Sequence, residues 1–348
     1  MIKVMIVDDS ALIRKLLTDI LKLDKDILVV GTARNGKEAL DKIEVLNPDI
    51  ITLDVEMPLM DGLTTLKHIV SRYKLPVIMI STLTEKGAEL TLKALEEGAI
   101  DFLQKPTNVF SLSQSDIKKE IIEKVKMGSK AKIEVREFIK PINKIEPSNK
   151  KTTKTKKSFS NILAIGTSTG GPRALQSLIP ALPGDIDAAL VIVQHMPPKF
   201  TKSLSERLNS TSNIEIKEAE EGDILKRGWG YIAPGDYHMT IVNEEDNLVV
   251  RLNQKPQVMG LRPTVDILME SVADIIGYSK MGIILTGMGS DGAKGIIQMK
   301  KSNSYTIAQD ESTSVVYGMP KAAIATDCID EILELDKIAD KIINKVGV

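Results

Sequence analysis

The chain of 348 residues holds a single cysteine, Cys328. One thiol can close no internal disulfide and build no all-cysteine metal cluster, so its expected role is small core filler. Only three histidines are present, His68, His195 and His238, which leaves few candidates for chemistry that needs an imidazole. No uncharged apolar run is long enough to span a bilayer, so direct membrane insertion is not expected. The first nine residues, Met1-Ile-Lys-Val-Met-Ile-Val-Asp8-Asp9, turn acidic too early for a signal-peptide core, and a cytoplasmic location is expected. Charge of one sign is also lacking. With a formal net charge of -1 and a pI near 6.4, the chain has no broad basic surface, and no nucleic-acid partner is expected. The rest, 43% hydrophobic and 27% charged, is an ordinary globular composition with length for about two domains.

Residues 2–105 alternate short apolar runs with amphipathic stretches. Runs at 3–7, 28–33, 50–53, 77–80 and 100–103 are expected as five buried strands with helices between them, a doubly wound parallel sheet. Such sheets bind ligands at the carboxyl ends of their strands, and the polar residues gather there. Asp8 and Asp9 follow the first run, Asp54 the third, Ser81 and Thr82 the fourth, and Lys105 the fifth. After a last helix near 115–127 the composition shifts, through Pro141 and Pro147, to Lys150-Lys-Thr-Thr-Lys-Thr-Lys-Lys157. A like-charge tract of this kind repels itself and stays solvated. Residues 1–120 thus read as one domain, 121–157 as a helix end and Lys-rich linker, and 158–348 as a second domain. A docking role for the Lys-rich tract is the alternative.

From Asn161 a second α/β pattern begins, again doubly wound and mostly parallel, with further strands at 188–194, 281–286 and 304–309. Between 214 and 252 the runs are shorter, with turn signals at Pro234-Gly235 and 243–247, suggesting an antiparallel excursion. Helices are expected at 172–182, 200–209, 264–277, 293–301 and 336–346.

Three carboxylates meeting at strand ends repel one another unless a cation neutralises them. A divalent ion is the natural occupant, and hard oxygen donors with few protein ligands suit Mg²⁺. One carboxylate could then attack a phosphoryl donor, with Lys105 and the Ser81 hydroxyl bonding the transferred group. The set Asp8-Asp9, Asp54-Val-Glu-Met-Pro58, Asp61-Gly62, Ile80-Ser81 and Lys105-Pro106 resembles a response-regulator receiver domain. That resemblance implies Asp54 as phosphoacceptor, and Mg²⁺ held by Asp9, Asp54 and the backbone carbonyl of Glu56, with Asp8 in support. It further implies Ser81 as switch hydroxyl, Phe102 at the aromatic switch position, and a sensor histidine kinase as phosphoryl donor.

In the second domain, Asn161-Ile-Leu-Ala-Ile-Gly-Thr-Ser168-Thr-Gly-Gly-Pro172 runs an apolar strand into a glycine-flanked serine and a proline-initiated helix. Gly166-Thr-Ser168-Thr-Gly170 fits the G-x-S-x-G elbow that displays a nucleophile. A plain glycine turn or a phosphate cradle is the alternative. A hydroxyl needs a base held by a carboxylate. His195 ends one buried run and Asp291, in Thr286-Gly-Met-Gly-Ser-Asp291-Gly292, follows another, so both are expected at the rim where Ser168 emerges. His238, with Asp223 or Asp185, is the rival base. Under either assignment the backbone of Thr169 or Met288 could stabilise an oxyanion.

Ile165-Gly-Thr-Ser168-Thr-Gly-Gly-Pro172, Gln194-His-Met-Pro-Pro198, Ala233-Pro-Gly-Asp236, Arg262-Pro263 with Asp266, and Leu285-Thr-Gly-Met-Gly-Ser-Asp291-Gly resemble the chemotaxis protein-glutamate methylesterases. With the receiver, the resemblance covers nearly the whole chain. It implies Ser168 as nucleophile, His195 as base, Asp291 as orienting carboxylate, and no cofactor in this domain. The implied activity is phosphorylation-activated demethylation of glutamate γ-methyl esters, and deamidation of glutamines, on methyl-accepting chemotaxis receptors. A receiver joined to a non-catalytic module, with Gly166 to Gly171 holding phosphate or nucleotide, is the second reading. That loop lacks the lysine of a P-loop and the glycine spacing of a dinucleotide site. A DNA-binding regulator would need a basic recognition helix, which the sequence does not offer.

Overall fold

The computed structural model describes residues 1–105, 115–131 and 159–347. Pro106 and the Lys150 to Lys157 tract with Pro141 and Pro147 lie outside the described residues. The chain divides into two compact units, Met1–Glu137 and Phe138–Val348.

In unit 1 the strands are β1 (Ile2–Val7), β2 (Ile27–Ala33), β3 (Ile50–Asp54), β4 (Val77–Ser81) and β5 (Asp101–Gln104). They form one parallel sheet in the order β2-β1-β3-β4-β5. The alternating helices are α1 (Ala11–Leu21), α2 (Gly36–Leu46), α3 (Gly62–His68), α4 (Glu85–Glu96) and α5 (Ser115–Gly128). Four of them start on side-chain caps: Ser10, Asn35, Asp61 and Thr84 each accept an N–H from the first turn. β3 and β4 are buried throughout, as expected of strands covered on both faces. β1 and β3 are neighbours although β2 separates them in sequence, so the strand order reverses there and a crevice forms at their carboxyl ends.

Unit 2 holds seven parallel strands in the order β14-β13-β12-β6-β7-β9-β8. They are β6 (Asn161–Thr167), β7 (Ala188–Gln194), β8 (Glu215–Glu218), β9 (Trp229–Ile232), β12 (Ser279–Ile284), β13 (Tyr305–Gln309) and β14 (Glu331–Leu333). A separate antiparallel hairpin joins β10 (His238–Glu244) to β11 (Asn247–Asn253). The helices are α6 (Gly171–Leu178), α7 (Phe200–Thr211), α8 (Val265–Ala273), α9 (Ala293–Lys301), α10 (Met319–Ile324) and α11 (Leu335–Val346).

Among the described residues the antiparallel ladder is the 238–253 hairpin, with an isolated antiparallel bridge from Ile224 to Val249, a narrower excursion than the 214–252 expected from the sequence. β8 follows the crossover helix α7 and β9 inserts between β7 and β8, so both extend the parallel sheet. The helix expected at 172–182 stops at Leu178 and continues as one 3-10 turn, Ile179–Ala181. Pro180 within it has no N–H to carry an α-helical bond. The core of unit 2 joins Ile162, Ala164, Val191 and Val193 of the central strands to Val265, Leu268 and Met269 of α8. Among the described residues no helix is long and apolar enough to cross a membrane.

The carboxyl end of β3 is held by a close approach. A Cβ on Gly62 would lie 2.1 Å from the Asp54 carbonyl oxygen and 2.9 Å from Val55 Cα, both backbone atoms that cannot swing aside. Gly62→Ala is therefore expected to destabilise unit 1 by about 1 to 3 kcal/mol. Amide exchange of β1 and β3 along a urea series reads the effect; an unchanged midpoint refutes the contact.

Candidate functional site

At the β1/β3 crevice of unit 1, carboxylate oxygens of Asp8, Asp9 and Asp54 lie within 4.8 Å of one another. Asp8 and Asp54 are buried, whereas Asp9 is exposed. Lys105 leaves the end of β5 and sets its Nζ 2.7 Å from Asp54 Oδ2, 3.2 Å from Asp8 Oδ2 and 4.0 Å from Asp9 Oδ1. Three carboxylates against one ammonium leave a formal charge of -3 + 1 = -2. Asp8 Oδ2 is buried, with the Lys105 ammonium as its ion-pair partner at 3.2 Å. A hard divalent cation fits the surplus negative charge and the all-oxygen donor set.

Burial pushes the Asp54 carboxyl up to about 6, with the charge of Asp8 adding to the rise and the Lys105 hydrogen bond opposing it. Burial likewise raises Asp8. For Lys105, burial favours the neutral amine, but its bonds to Asp54 and Asp8 outweigh that and keep it a cation. The Glu56 carboxylate is bonded to Lys86 at 2.8 Å, so the group it could offer the pocket is its backbone carbonyl. Ser81 is buried and donates to the Gly87 carbonyl of α4 at 3.2 Å. Phe102 is buried on β5; Lys124 bonds its carbonyl at 2.8 Å and sits 5.4 Å from its ring centroid.

In unit 2, register decides what meets. Thr167 pairs with Gln194 across β6 and β7, so the next residue on each strand, Ser168 and His195, emerge side by side at the sheet edge. The His195 N–H continues the ladder to the Thr167 carbonyl at 3.2 Å. On the other flank β12 pairs with β6 up to Ile284 and Gly166, and the Ser168 N–H donates to the Thr286 carbonyl at 3.1 Å. The loop from β12 then delivers Asp291, whose Oδ2 lies 2.8 Å from His195 Nε2. Both side chains are buried, at 7% and 1% exposure, so this pair is not screened by solvent.

Asp291 is held on every side. Its Oδ2 also accepts the Val265 N–H at 2.7 Å, and its Oδ1 accepts those of Asp266 at 3.1 Å and Gly292 at 3.0 Å. Burial alone would raise this carboxyl, but the His195 bond and the backbone N–H groups hold it below its ordinary value. Because the carboxylate can only accept, the Asp291 bond selects, for a neutral ring, the tautomer with the proton on Nε2 and the lone pair on Nδ1. Ser168 is half-buried. Thr169 follows it directly, and Met288 lies in the same loop as Thr286.

His238 is committed elsewhere. It is fully buried, with Nε2 donating to the Pro256 carbonyl at 3.2 Å and Nδ1 accepting from Thr264 Oγ1 at 3.4 Å. Burial holds its pKa below the ordinary value. Asp223 is bonded to Lys217 Nζ at 2.9 Å and to the Glu220 N–H at 2.8 Å, not to an imidazole.

Several supporting residues are not expected from the sequence to act at the site, although Asp266 and Thr286 lie within its motifs. Asp266 Oδ1 accepts the N–H groups of Gly292 and Gly295 at 2.9 and 2.8 Å, capping α9 beside Asp291, and its own carboxyl is raised by burial. Thr286 Oγ1 bonds the Thr169 carbonyl at 2.9 Å, and Gln309 Oε1 accepts the Thr286 N–H at 2.8 Å. For Asp266 the spacing offered a hint, since it falls in the first turn of an expected helix.

An acidic phosphoacceptor-type pocket and a serine beside a paired histidine and aspartate, carried by two parallel α/β units, define a response regulator with a hydrolase output. Comparison with known proteins narrows the class. Residues 4–115 match the response regulator receiver domain, and residues 163–342 match the CheB methylesterase family. The chain is 46% identical over 347 residues to the protein-glutamate methylesterase/protein-glutamine glutaminase of Pyrococcus horikoshii, covering 100% of this chain and 94% of that protein. It is 46% identical over 352 residues to the protein of the same name from Bacillus subtilis, covering 98% of each. Among solved structures, the Thermotoga maritima CheB methylesterase catalytic domain aligns with a TM-score of 0.53 at 43% identity, over 54% of this chain and 100% of that one. The chain belongs to the CheB methylesterase family.

The raised Asp54 carboxyl has a measurable consequence. Folded, Asp54 releases its proton near pH 6 rather than near 3.8, so the native state holds the extra proton between those values and stability falls as pH rises through that window. In chelator-treated buffer, Asp54→Asn is expected to gain on wild type by about 2 kcal/mol from pH 4 to pH 6.5 in denaturant titrations. Millimolar Mg²⁺ should erase that gain by stabilising wild type. A constant difference across the range refutes the buried-acid account.

Proposed function

We propose that this chain is a cytoplasmic enzyme that hydrolyses glutamate γ-methyl esters on chemotaxis receptors, and deamidates receptor glutamines, under control of phosphorylation at Asp54. The observation that carries the reading is the His195–Asp291 pair at 2.8 Å beside Ser168 on the adjoining strand. A non-catalytic phosphate module would have no use for an imidazole tied to a buried carboxylate.

Ser168 Oγ attacks the side-chain carbonyl carbon as its proton passes to His195 Nδ1, and Asp291 stabilises the imidazolium that forms. Backbone N–H groups of Thr169 and Met288 are the proposed donors to the oxyanion. Collapse of the tetrahedral intermediate expels methanol, or ammonia from a glutamine, with the proton held by His195. Water then gives a proton to His195 and attacks the acyl-enzyme carbonyl; glutamate leaves as a carboxylate and Ser168 is restored. One acyl intermediate serves both substrates.

In unit 1, Asp54 would accept a phosphoryl group from a phosphohistidine of a sensor kinase. Lys105 and the Ser81 hydroxyl would bond the transferred oxygens, and Phe102 on β5 would follow the change at Ser81. Asp9, Asp54 and the Glu56 carbonyl, with Asp8 in support, would hold Mg²⁺, which supplies charge neutralisation at the phosphoryl oxygens. The receiver restrains the esterase until Asp54 is modified. A coupling of about 1 to 3 kcal/mol corresponds to roughly 5- to 150-fold activation.

Methanol release from a methyl-esterified receptor tests the assignment. Ser168→Ala and His195→Ala are each expected to lower kcat by about 10³-fold or more, while His238→Ala stays within tenfold of wild type. Activity that survives in His195→Ala and vanishes in His238→Ala overturns the base assignment. For control, acetyl phosphate with Mg²⁺ is expected to raise the wild-type rate by roughly 5-fold or more and to leave Asp54→Asn unchanged. An equal response in both variants refutes Asp54 as the phosphoacceptor.

A further inference from the structure

Gln194, the last residue of β7, is 2% exposed. Its Nε2 donates to the Ser168 carbonyl at 3.0 Å and to the His195 carbonyl at 3.2 Å. A primary amide has two N–H donors. Both are spent on the two residues that attack and take the proton in the reading above. The Ser168 carbonyl also accepts the Gly171 N–H at 2.8 Å, so its acceptor capacity is filled and the turn after β6 is pinned to the end of β7.

The other half of the amide is unusual. Gln194 Oε1 is buried without a hydrogen-bond partner among the described residues, and an orphaned acceptor in the interior is costly. Turning the amide over would point Oε1 at two carbonyls, so only one orientation is tolerable. A Cβ on Gly171 would lie 2.0 Å from Oε1 and 2.4 Å from Thr167 Oγ1, so position 171 must be glycine for the amide to fit. An apolar side chain would fill this space without the orphaned oxygen. What it could not do is tie the two carbonyls together.

We infer that Gln194 is a positioning residue that fixes the spacing of Ser168 and His195 by bridging their backbone carbonyls. The inference rests on the Ser–His–Asp reading. It concerns the attack geometry, where a misplacement of about 1 Å can cost 10²-fold in rate.

Two isosteric variants of the full chain test it, with methanol release from a methyl-esterified receptor and fluorophosphonate labelling of Ser168 as readouts. Gln194→Met keeps the volume and removes the donors. It is expected to lower kcat and the labelling rate by about 10- to 100-fold, with KM within about twofold and an unfolding midpoint at or above that of wild type. In Gln194→Glu, burial against two carbonyl oxygens raises the carboxyl pKa; its protonated form offers one O–H donor and its ionised form none. Its kcat relative to wild type is therefore expected to rise as pH falls from about 9 to about 5. A wild-type kcat in Gln194→Met, or a flat pH ratio in Gln194→Glu, overturns the proposal. If Gln194→Met does not fold, the pH ratio decides alone. Ser168→Ala run alongside separates the two failures: if it still releases methanol the nucleophile assignment is wrong, and if it is inert while Gln194→Met matches wild type, only the bridging role falls.

Discussion

Asp291 keeps a negative charge at 2% exposure, where the loss of water would ordinarily force a carboxyl to take up a proton. The fold replaces the water with fixed dipoles. Val265 and Asp266 present N–H groups from the first turn of α8, Gly292 presents one from the start of α9, and His195 closes the fourth side. The two helix N-termini thus converge on one anion, the arrangement that helix dipoles favour most. Asp266 then ties the helices together by capping α9 while its own N–H serves Asp291. If Asp291 were neutral it would lose its reason to accept from three backbone groups, and the tautomer of His195 would no longer be set.

Unit 1 treats a buried acid in the opposite way. Asp54 is about as buried as Asp291, but it faces two further carboxylates and a single ammonium rather than a ring of N–H groups. Its carboxyl is accordingly pushed up where that of Asp291 is held down. A site left short of positive charge suits a divalent cation; a site already saturated with donors is suited to orienting a neighbour. The same residue type at the same edge of a parallel sheet therefore does different work according to what the backbone around it supplies.

Much of this is legible in the sequence. β7 and α9 span the residues that their apolar runs and turn signals marked, because a strand covered on both faces must be continuously apolar and its polar residues are displaced to its ends. What the sequence left open were matters of register and distant pairing. His195 and His238 both stand beside short apolar runs, and the Thr167–Gln194 pairing, the Asp291 bond to His195, and the Pro256 and Thr264 contacts of His238 separate them. β8 and β9 looked like parts of a meander because runs of four residues carry no record of their partner's direction. Gln194 stands in the motif before His195, but nothing in composition or spacing signals that its buried amide bridges two carbonyls.

One topological rule locates both sites. In unit 1 the chain builds outward from β1 to β2, then returns to place β3 on the other side, so Asp8, Asp9 and Asp54 flank the reversal. In unit 2 it builds from β6 through β7 to β9 and β8, leaves through the β10–β11 hairpin, and returns to place β12 on the far side of β6. Right-handed crossovers running in opposite directions from such a pair put their helices on opposite faces, which opens a crevice between them. That order explains why Ser168, His195 and Asp291 occur in this sequence along the chain: the proposed nucleophile follows the central strand, the proposed base the first excursion, and the carboxylate the return. The carboxylate comes last because its strand can be added only after the chain has crossed back. The helices that bind it, α8 and α9, flank that returning strand, so the charge and the dipoles that hold it are supplied by one continuous stretch of chain.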